Sequence, residues 1–289
     1  MESYLDALTR RALTPIYRRM ALRRLAPLTS HESATVRSIS LALRETITQT
    51  LSDEERSWVT AIEHRRKVLR LTKDIIEIID FGAGNPDAKR SDEDMYRGVR
   101  SSVEIKTLAR ASKPAFWALF IFKLIRKLEP KSCLELGTAL GISASYIAAA
   151  LRINGAGSVC TLEGSSEIAR LAQETFDILN LDNVTTVVGP FHMTLSKALS
   201  DAKPIGFFFN DGHHDKNAVL RYYEDCQSSL GQGSVMVIDD ISWSTGMRDA
   251  WTEIAQDSRN AYAFDFRIMG VVVKAQDERK RETFSIPLF

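Results

Sequence analysis

The stretch SCLELGTALGIS, residues 132–143, decides the fold class. An apolar run from Ser132 stops after Leu136 at Gly137, and Gly141 opens a segment with helical apolar spacing. Glycine suits such a strand-to-helix junction because the backbone must turn tightly and approach a ligand closely. The helix N-terminus beyond it leaves free N–H groups. The spacing is G-x-x-x-G, not the dinucleotide fingerprint G-x-G-x-x-G, so pyrophosphate binding is disfavoured. A plain strand-to-helix turn is the bland alternative. Glu163 ends the next apolar run, and an acid about 20–25 residues past a glycine turn stands where a ribose diol is hydrogen-bonded.

Outward from this junction the C-terminal half alternates short apolar runs with helix-length connectors. Strands are predicted over about 132–136, 158–162, 184–188, 205–209 and 234–238. That is a βαβ pattern and implies a parallel sheet with right-handed crossovers. After a helix over about 246–258, runs at 260–267 and 269–274 follow with almost no connector, so they can pair only antiparallel. The expected fold is α/β: a doubly wound seven-stranded sheet of five parallel strands plus a C-terminal antiparallel hairpin, with an N-terminal helical extension.

Residues 1 to about 128 read as helix. Leu5, Leu8, Ala12 and Leu13 recur at helical spacing between Arg10, Arg11, Arg18, Arg19, Arg23 and Arg24, giving residues 1–30 a local charge of +4 against Glu2 and Asp6. Pro15 is expected to kink or split that helix, and Pro27 with Thr29 and Ser30 to end it. A second helix is expected over about 31–50. A third begins at Ser52, where Ser52 and Glu55 form a capping box ahead of Trp58, Val59 and Ile62. Residues 81–101 are rich in glycine and charge and read as a loop. Its FGAG (81–84) lacks a strand-turn-helix setting and suggests a lid, and Lys89, Arg90, Asp92, Glu93 and Asp94 read as solvated charge. A further helix runs from about Lys113 to Lys127, with Pro114 in its first turn and Pro130 beyond it. Domains are expected at 1–104 (helical region and lid loop) and 105–289.

The chain has 289 residues with 38 basic and 37 acidic side chains, and a net charge of +1 argues against a nucleic-acid binder. Cys133, Cys160 and Cys226 are too few and scattered for a disulfide framework or zinc ribbon, and suit buried thiols of a reducing compartment. No apolar run reaches the ~18–20 residues of a spanning helix, and no signal-peptide pattern is read, so a cytoplasmic protein is expected. The basic first helix could lie on an anionic membrane surface, but packing on its own domain or a second subunit is favoured because Leu and Ala dominate its apolar positions.

Two further strand ends carry the chemistry. The fourth run ends in Asn210-Asp211-Gly212-His213-His214-Asp215 and the fifth in Asp239-Asp240-Ile241-Ser242-Trp243. Side chains at the carboxyl ends of neighbouring strands converge on one crevice. Asp211, Asp239 and Asp240 would repel one another there unless a cation sat between them, and hard oxygen ligands suit Mg²⁺, Ca²⁺ or Mn²⁺. Helix capping, or contact with an amino group without metal, is the alternative. His213 or His214 as a ligand would favour a softer ion.

The glycine turn with Glu163 resembles class I S-adenosylmethionine-dependent methyltransferases over about residues 105–275. The acidic corner resembles their metal-dependent catechol and caffeoyl-CoA-type O-methyltransferases. The resemblance implies S-adenosyl-L-methionine as cofactor, with Glu135, Gly137, Thr138, Gly141 and Ser143 around its methionine part and Glu163 on the ribose. Gly189, Pro190, Phe191 and His192 would lie by the adenine. It also implies a divalent ion such as Mg²⁺ on Asp211, Asp239 and Asp240, with Asp211 serving cofactor and catalysis together and Trp243 matching the family's Trp. That family has a catalytic Lys three residues after the first Asp, where this chain has His214, an imidazole that exchanges protons near neutrality. Methyl transfer to a hydroxyl of a small molecule is therefore expected, with a homodimer as partner state and residues 112–117 near the cofactor mouth. A metal-independent enzyme or a non-catalytic methyltransferase-fold protein stays open. Amino-methylation of bases would show Asn/Asp-Pro-Pro-aromatic after the fourth strand, which Asn210 to His213 is not. Cytosine C5 chemistry would need a nucleophilic Cys at this edge.

Overall fold

The eight strands of the main sheet run β1 (Ser132–Leu136), β2 (Ser158–Glu163), β3 (Val184–Val188), β4 (Ile205–Asn210), β5 (Leu230–Ile238), β6 (Asn260–Asp265), β7 (Gly270–Lys274) and β8 (Glu282–Ser285). They are ordered β8-β6-β7-β5-β4-β1-β2-β3. This computed structural model describes residues 4–85, 88–275 and 281–288, with backbone alone for residues 4–14, 85, 88 and 89. The side chains of Leu5, Leu8, Ala12, Leu13, Arg10, Arg11 and Lys89 thus lie outside the description, as do Glu2 and the residues after Ala275 up to 280.

β1 to β5 pair in parallel, β7 is antiparallel to both β5 and β6, and β8 adds to β6 in parallel. The expected seven strands are present. The eighth, ETFS, is a correction: it is too short and polar to stand out, and it forms because β6 offers an unpaired edge. Strand periodicity splits the core into two layers. Phe207 and Phe209 face the helices Ala34–Thr48, Ala115–Leu128 and Ile142–Ile153, while Phe208 faces Tyr222, Met236 and Trp251 on the other side.

The N-terminal helices share the first layer. Val36, Ile39, Leu43 and Ile62 pack with Phe120, Phe122 and Tyr146. Ser52 caps helix Asp53–Leu71 with both hydrogen bonds of the capping box, as the sequence implies. Helix Tyr4–Leu28 runs through Pro15 without the split expected there, and ends between Pro27 and Thr29, as expected. Its end is fixed by packing, since Ala21 and Leu25 are buried and Arg24 Nη1 donates to the Ser285 carbonyl at 2.7 Å. Tertiary contact here overrides the local proline signal.

Residues 75–104 differ most from the sequence reading. Ile75–Asp80 and Val99–Glu104 pair antiparallel, with Asp80 opposite Val99, and between them stand short strands at 84–85 and 88–89 and helix Asp92–Arg97. The expected loop over 81–101 is therefore an ordered hairpin insertion. Ile75–Asp80 gives a weak strand signal because Ile75 is exposed and only Ile78 is buried.

A buried ion network joins the N-terminal helices to the sheet layer. Lys123 is 2% exposed, and its Nζ bridges Glu55 (2.7 Å) and Glu45 (2.9 Å). Arg126 reaches Glu55 and Lys127 reaches Glu45. Burial pushes the Glu55 carboxyl up, but Lys123, the Ser52 backbone and Arg126 together hold it below its ordinary value. Removing the central ammonium leaves two carboxylates short of a partner, a change that costs about 3 kcal/mol. Lys123→Ala is expected to lower the thermal midpoint by several degrees in a melt monitored by circular dichroism, and an unchanged midpoint would show that the network contributes nothing.

Candidate functional site

Register brings the functional strand ends together. Leu136 lies opposite Leu162 and Asn210, and Asn210 opposite Ile238. The residues that follow, Gly137, Glu163, Asp211 and Asp239, therefore leave the sheet at one level, on both sides of the point where strand order reverses between β1 and β4. Open parallel sheets bind ligands at that crevice.

Gly137 takes φ +96° and Gly141 φ +78°. A Cβ on Gly137 would come within 2.5 Å of the Asp211 carbonyl oxygen, and one on Gly141 within 2.8 Å of Phe176. Both glycines are required by backbone conformation and by close approach. The turn is locked to β2: Ala139 N–H donates to Glu163 Oε2 (2.9 Å), Ser165 N–H to Glu163 Oε1 (3.0 Å), and the Thr138 and Thr161 hydroxyls meet at 2.7 Å. Thr161 donates to Glu135 Oε2 at 2.5 Å, whereas Glu135 Oε1 is buried with no hydrogen-bond partner among the described residues. Ser143 is buried in the first turn of helix Ile142–Ile153, beside Glu135.

Burial raises both acids. Glu135 is pushed up to about 8, the Ser143 and Thr161 hydroxyls offsetting only part of the desolvation. Glu163 is pushed up to about 7, against the backbone N–H groups of Ser165 and Ala139. Between their ordinary 4.5 and these values the folded chain binds more protons than the unfolded one, so stability falls as pH rises. Each group contributes up to ~1.4 kcal/mol per pH unit while it stays protonated. Denaturant unfolding is expected to show lower stability at pH 7.5 than at pH 5.5, with a shallower slope in Glu135→Gln. Equal slopes in the two proteins would remove Glu135 from the account.

A cleft of about 200 Å³ opens over this edge, lined by Asp80, Phe81, Gly137, Glu163, Pro190 and Phe191 among others. The FGAG segment thus forms a wall of the same cleft that Glu163 enters. Phe81 packs on Gly164, where a Cβ would meet the ring at 2.5 Å. Of the segment after β3, Phe191 is buried against the cleft, while His192 turns outward and stacks on Tyr96 (centroids 4.1 Å, interplanar 18°). Gly189 N–H donates to the Glu163 carbonyl and sets the level of that segment.

The acidic corner lies beside the glycine turn. One ligand atom from each of Asp211, His214, Asp239 and Asp240 lies within 4.8 Å of all the others. His214 Nε2 is 3.5 Å from both Asp211 Oδ1 and Asp240 Oδ2, and its ring leans on Trp243 (centroids 5.6 Å). His213 stands apart from this group. With φ +58° its ring turns to the opposite wall, where Nδ1 meets the Tyr222 hydroxyl at 2.9 Å and the ring edges Phe191. Burial lowers its pKa to about 4, so it is a neutral aromatic wall at neutral pH.

The residue that sequence reasoning missed is Lys113. Residues 112–117 were expected near the cofactor mouth, but nothing in the spacing marked the lysine. Its buried side chain places Nζ 3.1 Å from Asp211 Oδ1 and in contact with Asp239 Oδ2. Burial alone would raise Asp211; Lys113 and His214 hold it below the usual carboxylate range. Arg66, itself 1% exposed, donates from Nη1 to the Lys113 carbonyl at 2.6 Å, and its Nε pairs with Glu63, which also accepts from the Tyr146 hydroxyl. Cys226, buried at the end of helix Lys216–Cys226, contacts Met236 and is remote from this chemistry. Burial pushes its thiol up to about 12.

Known proteins share features with this part of the chain. Residues 134–241 match the model of a family described as a methyltransferase domain. No curated protein sequence matches the chain. Among solved structures, the SAH-bound methyltransferase of Podospora anserina superposes with a TM-score of 0.51 at 17% identity, covering 58% of this chain and 82% of that one. The Bacillus cereus O-methyltransferase in complex with SAH gives 0.47 at 23% identity, over 59% of this chain and 88% of that one. Residues 134–241 thus match a methyltransferase-domain model, and the chain shares its fold with the Podospora methyltransferase.

Proposed function

We propose that this chain transfers the methyl group of S-adenosylmethionine to a hydroxyl oxygen of a small molecule. The observation that carries the reading is the common level at which Gly137, Glu163, Asp211 and Asp239 leave the sheet, beside one cleft. In this reading the cofactor's methionine part lies by Gly137, Thr138, Gly141 and Ser143, where the unpartnered Glu135 Oε1 and the Asp211 carboxylate favour its ammonium. Glu163 takes the ribose diol, and Gly189 and Phe191 flank the adenine. His192, stacked on Tyr96, belongs to the rim of that site.

The reaction is an in-line displacement. The acceptor oxygen attacks the methyl carbon, the carbon–sulfur bond breaks with its electrons going to sulfur, and neutral S-adenosylhomocysteine leaves. Much of the rate comes from holding the oxygen near the carbon on the line of the breaking bond. His214, whose Nε2 lies 3.5 Å from Asp211 Oδ1 and Asp240 Oδ2, takes the hydroxyl proton and releases it once the methylated product has left. The three carboxylates suit a hard divalent ion, and the buried Asp239 Oδ1 lacks a hydrogen-bond partner among the described residues. Asp211, Asp239 and Asp240 would hold such an ion, Mg²⁺ for instance, and it would supply Lewis acidity that lowers the hydroxyl's pKa, with His214 kept as the base.

Titration calorimetry with S-adenosylmethionine tests the reading: one site per chain is expected, and absence of binding would favour the non-catalytic alternative. A cytoplasmic homodimer completes the proposal. Exposed Val68 and Ile178, which flank a shared groove with Leu179, offer apolar surface for a second copy. Light scattering should return about twice the 32.4 kDa chain mass, and the mass of one chain would remove the dimer.

A further inference from the structure

We infer that Lys113 is a resident cation of the acidic corner, which a divalent ion must displace to bind. The inference rests on the proposed methyltransferase site but concerns what balances its charge. Three carboxylates at this spacing are unstable together without a positive charge among them. The chain supplies one: the Lys113 ammonium contacts Asp239 Oδ2 and lies 3.1 Å from Asp211 Oδ1, the two carboxylates deepest in the corner.

A divalent ion ligated by those oxygens sits about 2.0–2.6 Å from each. The ammonium already lies against the same two atoms, so ion and ammonium cannot share them. Like-charge repulsion at that separation is strong even with a relaxed dielectric. One has to leave, and the geometry shows which can move. The Lys113 backbone is pinned by Arg66 Nη1 on its carbonyl, and Pro114 follows as the N-cap of helix Ala115–Leu128. The four-carbon side chain beyond this fixed backbone has the rotatable bonds to swing away. The corner also keeps a donor for an ion that Lys113 does not satisfy: Asp239 Oδ1, on a residue 1% exposed, has no hydrogen-bond partner among the described residues, and Asp240 stands beside it. Ligands for a cation are thus present, and a tethered monovalent cation competes for two of them. Lys113 thereby sets the metal affinity of the site and keeps its carboxylates balanced without metal.

The test measures Mn²⁺ binding by electron paramagnetic resonance in wild type, Lys113→Gln and the double variant Lys113→Gln/Asp240→Asn, with SAH binding measured on the same samples. Lys113→Gln is expected to bind Mn²⁺ at least tenfold more tightly than wild type, and the double variant to lose most of that gain. Equal affinity in wild type and Lys113→Gln, or no binding by either at millimolar Mn²⁺, overturns the inference. SAH binding separates the two failures: if SAH binds and Mn²⁺ affinity does not rise, only the role of Lys113 falls, while loss of SAH binding in wild type removes the methyltransferase reading itself. Should Lys113→Gln not fold alone, refolding with Mn²⁺ decides, since rescue supports competition and continued failure contradicts it.

Discussion

Gly137→Ala is expected to abolish measurable SAH binding, a loss of more than about 100-fold, and to destabilise the fold by roughly 3 kcal/mol. Two independent costs act at this position. The backbone sits at φ +96°, which an L side chain rarely adopts. The added methyl would also stand 2.5 Å from the Asp211 carbonyl oxygen, which is backbone and cannot rotate away. Relief requires β1 and β4 to separate where Gly137 and Asp211 leave the sheet. That movement displaces Asp211 from Lys113 and His214, so cofactor binding and the acidic corner fail together. Gly155→Ala is the matched control, because its φ of +76° is also left-handed but nothing lies within 4 Å of a Cβ there. It should show backbone strain alone, with SAH affinity kept. If Gly137→Ala binds SAH as wild type does, close approach at this turn plays no part in the site.

His214→Gln is expected to reduce turnover by 10²- to 10⁴-fold while leaving SAH affinity within a few-fold. Conversion of S-adenosylmethionine to S-adenosylhomocysteine, with a vicinal diphenol as probe acceptor, reads the first quantity, and calorimetry reads the second. The split follows from placement. His214 lies among Asp211, Asp239 and Asp240 and leans on Trp243, whereas Glu163, the acid proposed for the ribose, and its backbone donors are on β2 and the glycine turn. Gln keeps a polar side chain of similar reach but cannot take up the proton. Turnover unchanged in His214→Gln would move proton removal to another group or to solvent. His213→Gln distinguishes the neighbours, since His213 faces Tyr222 and Phe191 and should affect cofactor affinity more than the chemical step.

The fold was legible from particular residues because buried parallel strands leave strong marks. IGFFF and the VMVI within β5 are apolar on both faces, SCLEL is apolar apart from Ser132 and Glu135, and each run leads into polar or glycine residues: Gly137, Asn210 with Asp211, and the pair Asp239 and Asp240. The acids could be placed in one crevice because parallel register carries strand ends to a common level. The remainder was illegible for physical reasons. Helix Tyr4–Leu28 survives Pro15 because Ala21, Leu25 and Arg24 anchor its far end. β8 exists only because β6 has a free edge. The insertion 75–104 is half exposed, so its periodicity is faint, and its contribution to the cleft comes from Phe81 meeting Gly164, a contact 83 residues apart in sequence. Lys113 was hidden most completely. A lysine before a helix reads as solvated unless the partner carboxylates are known to lie beneath it, and those are 98 and 126 positions away.

In the proposed function a sulfonium cofactor occupies the cleft at the carboxyl ends of β1 and β2. A crystal structure of the chain with SAH tests it most directly. The account predicts the ribose hydroxyls within hydrogen-bond distance of Glu163 and the homocysteine ammonium beside Asp211 and the glycine turn. SAH bound elsewhere, or that cleft filled by Phe81 with no ligand at saturating SAH, would contradict it.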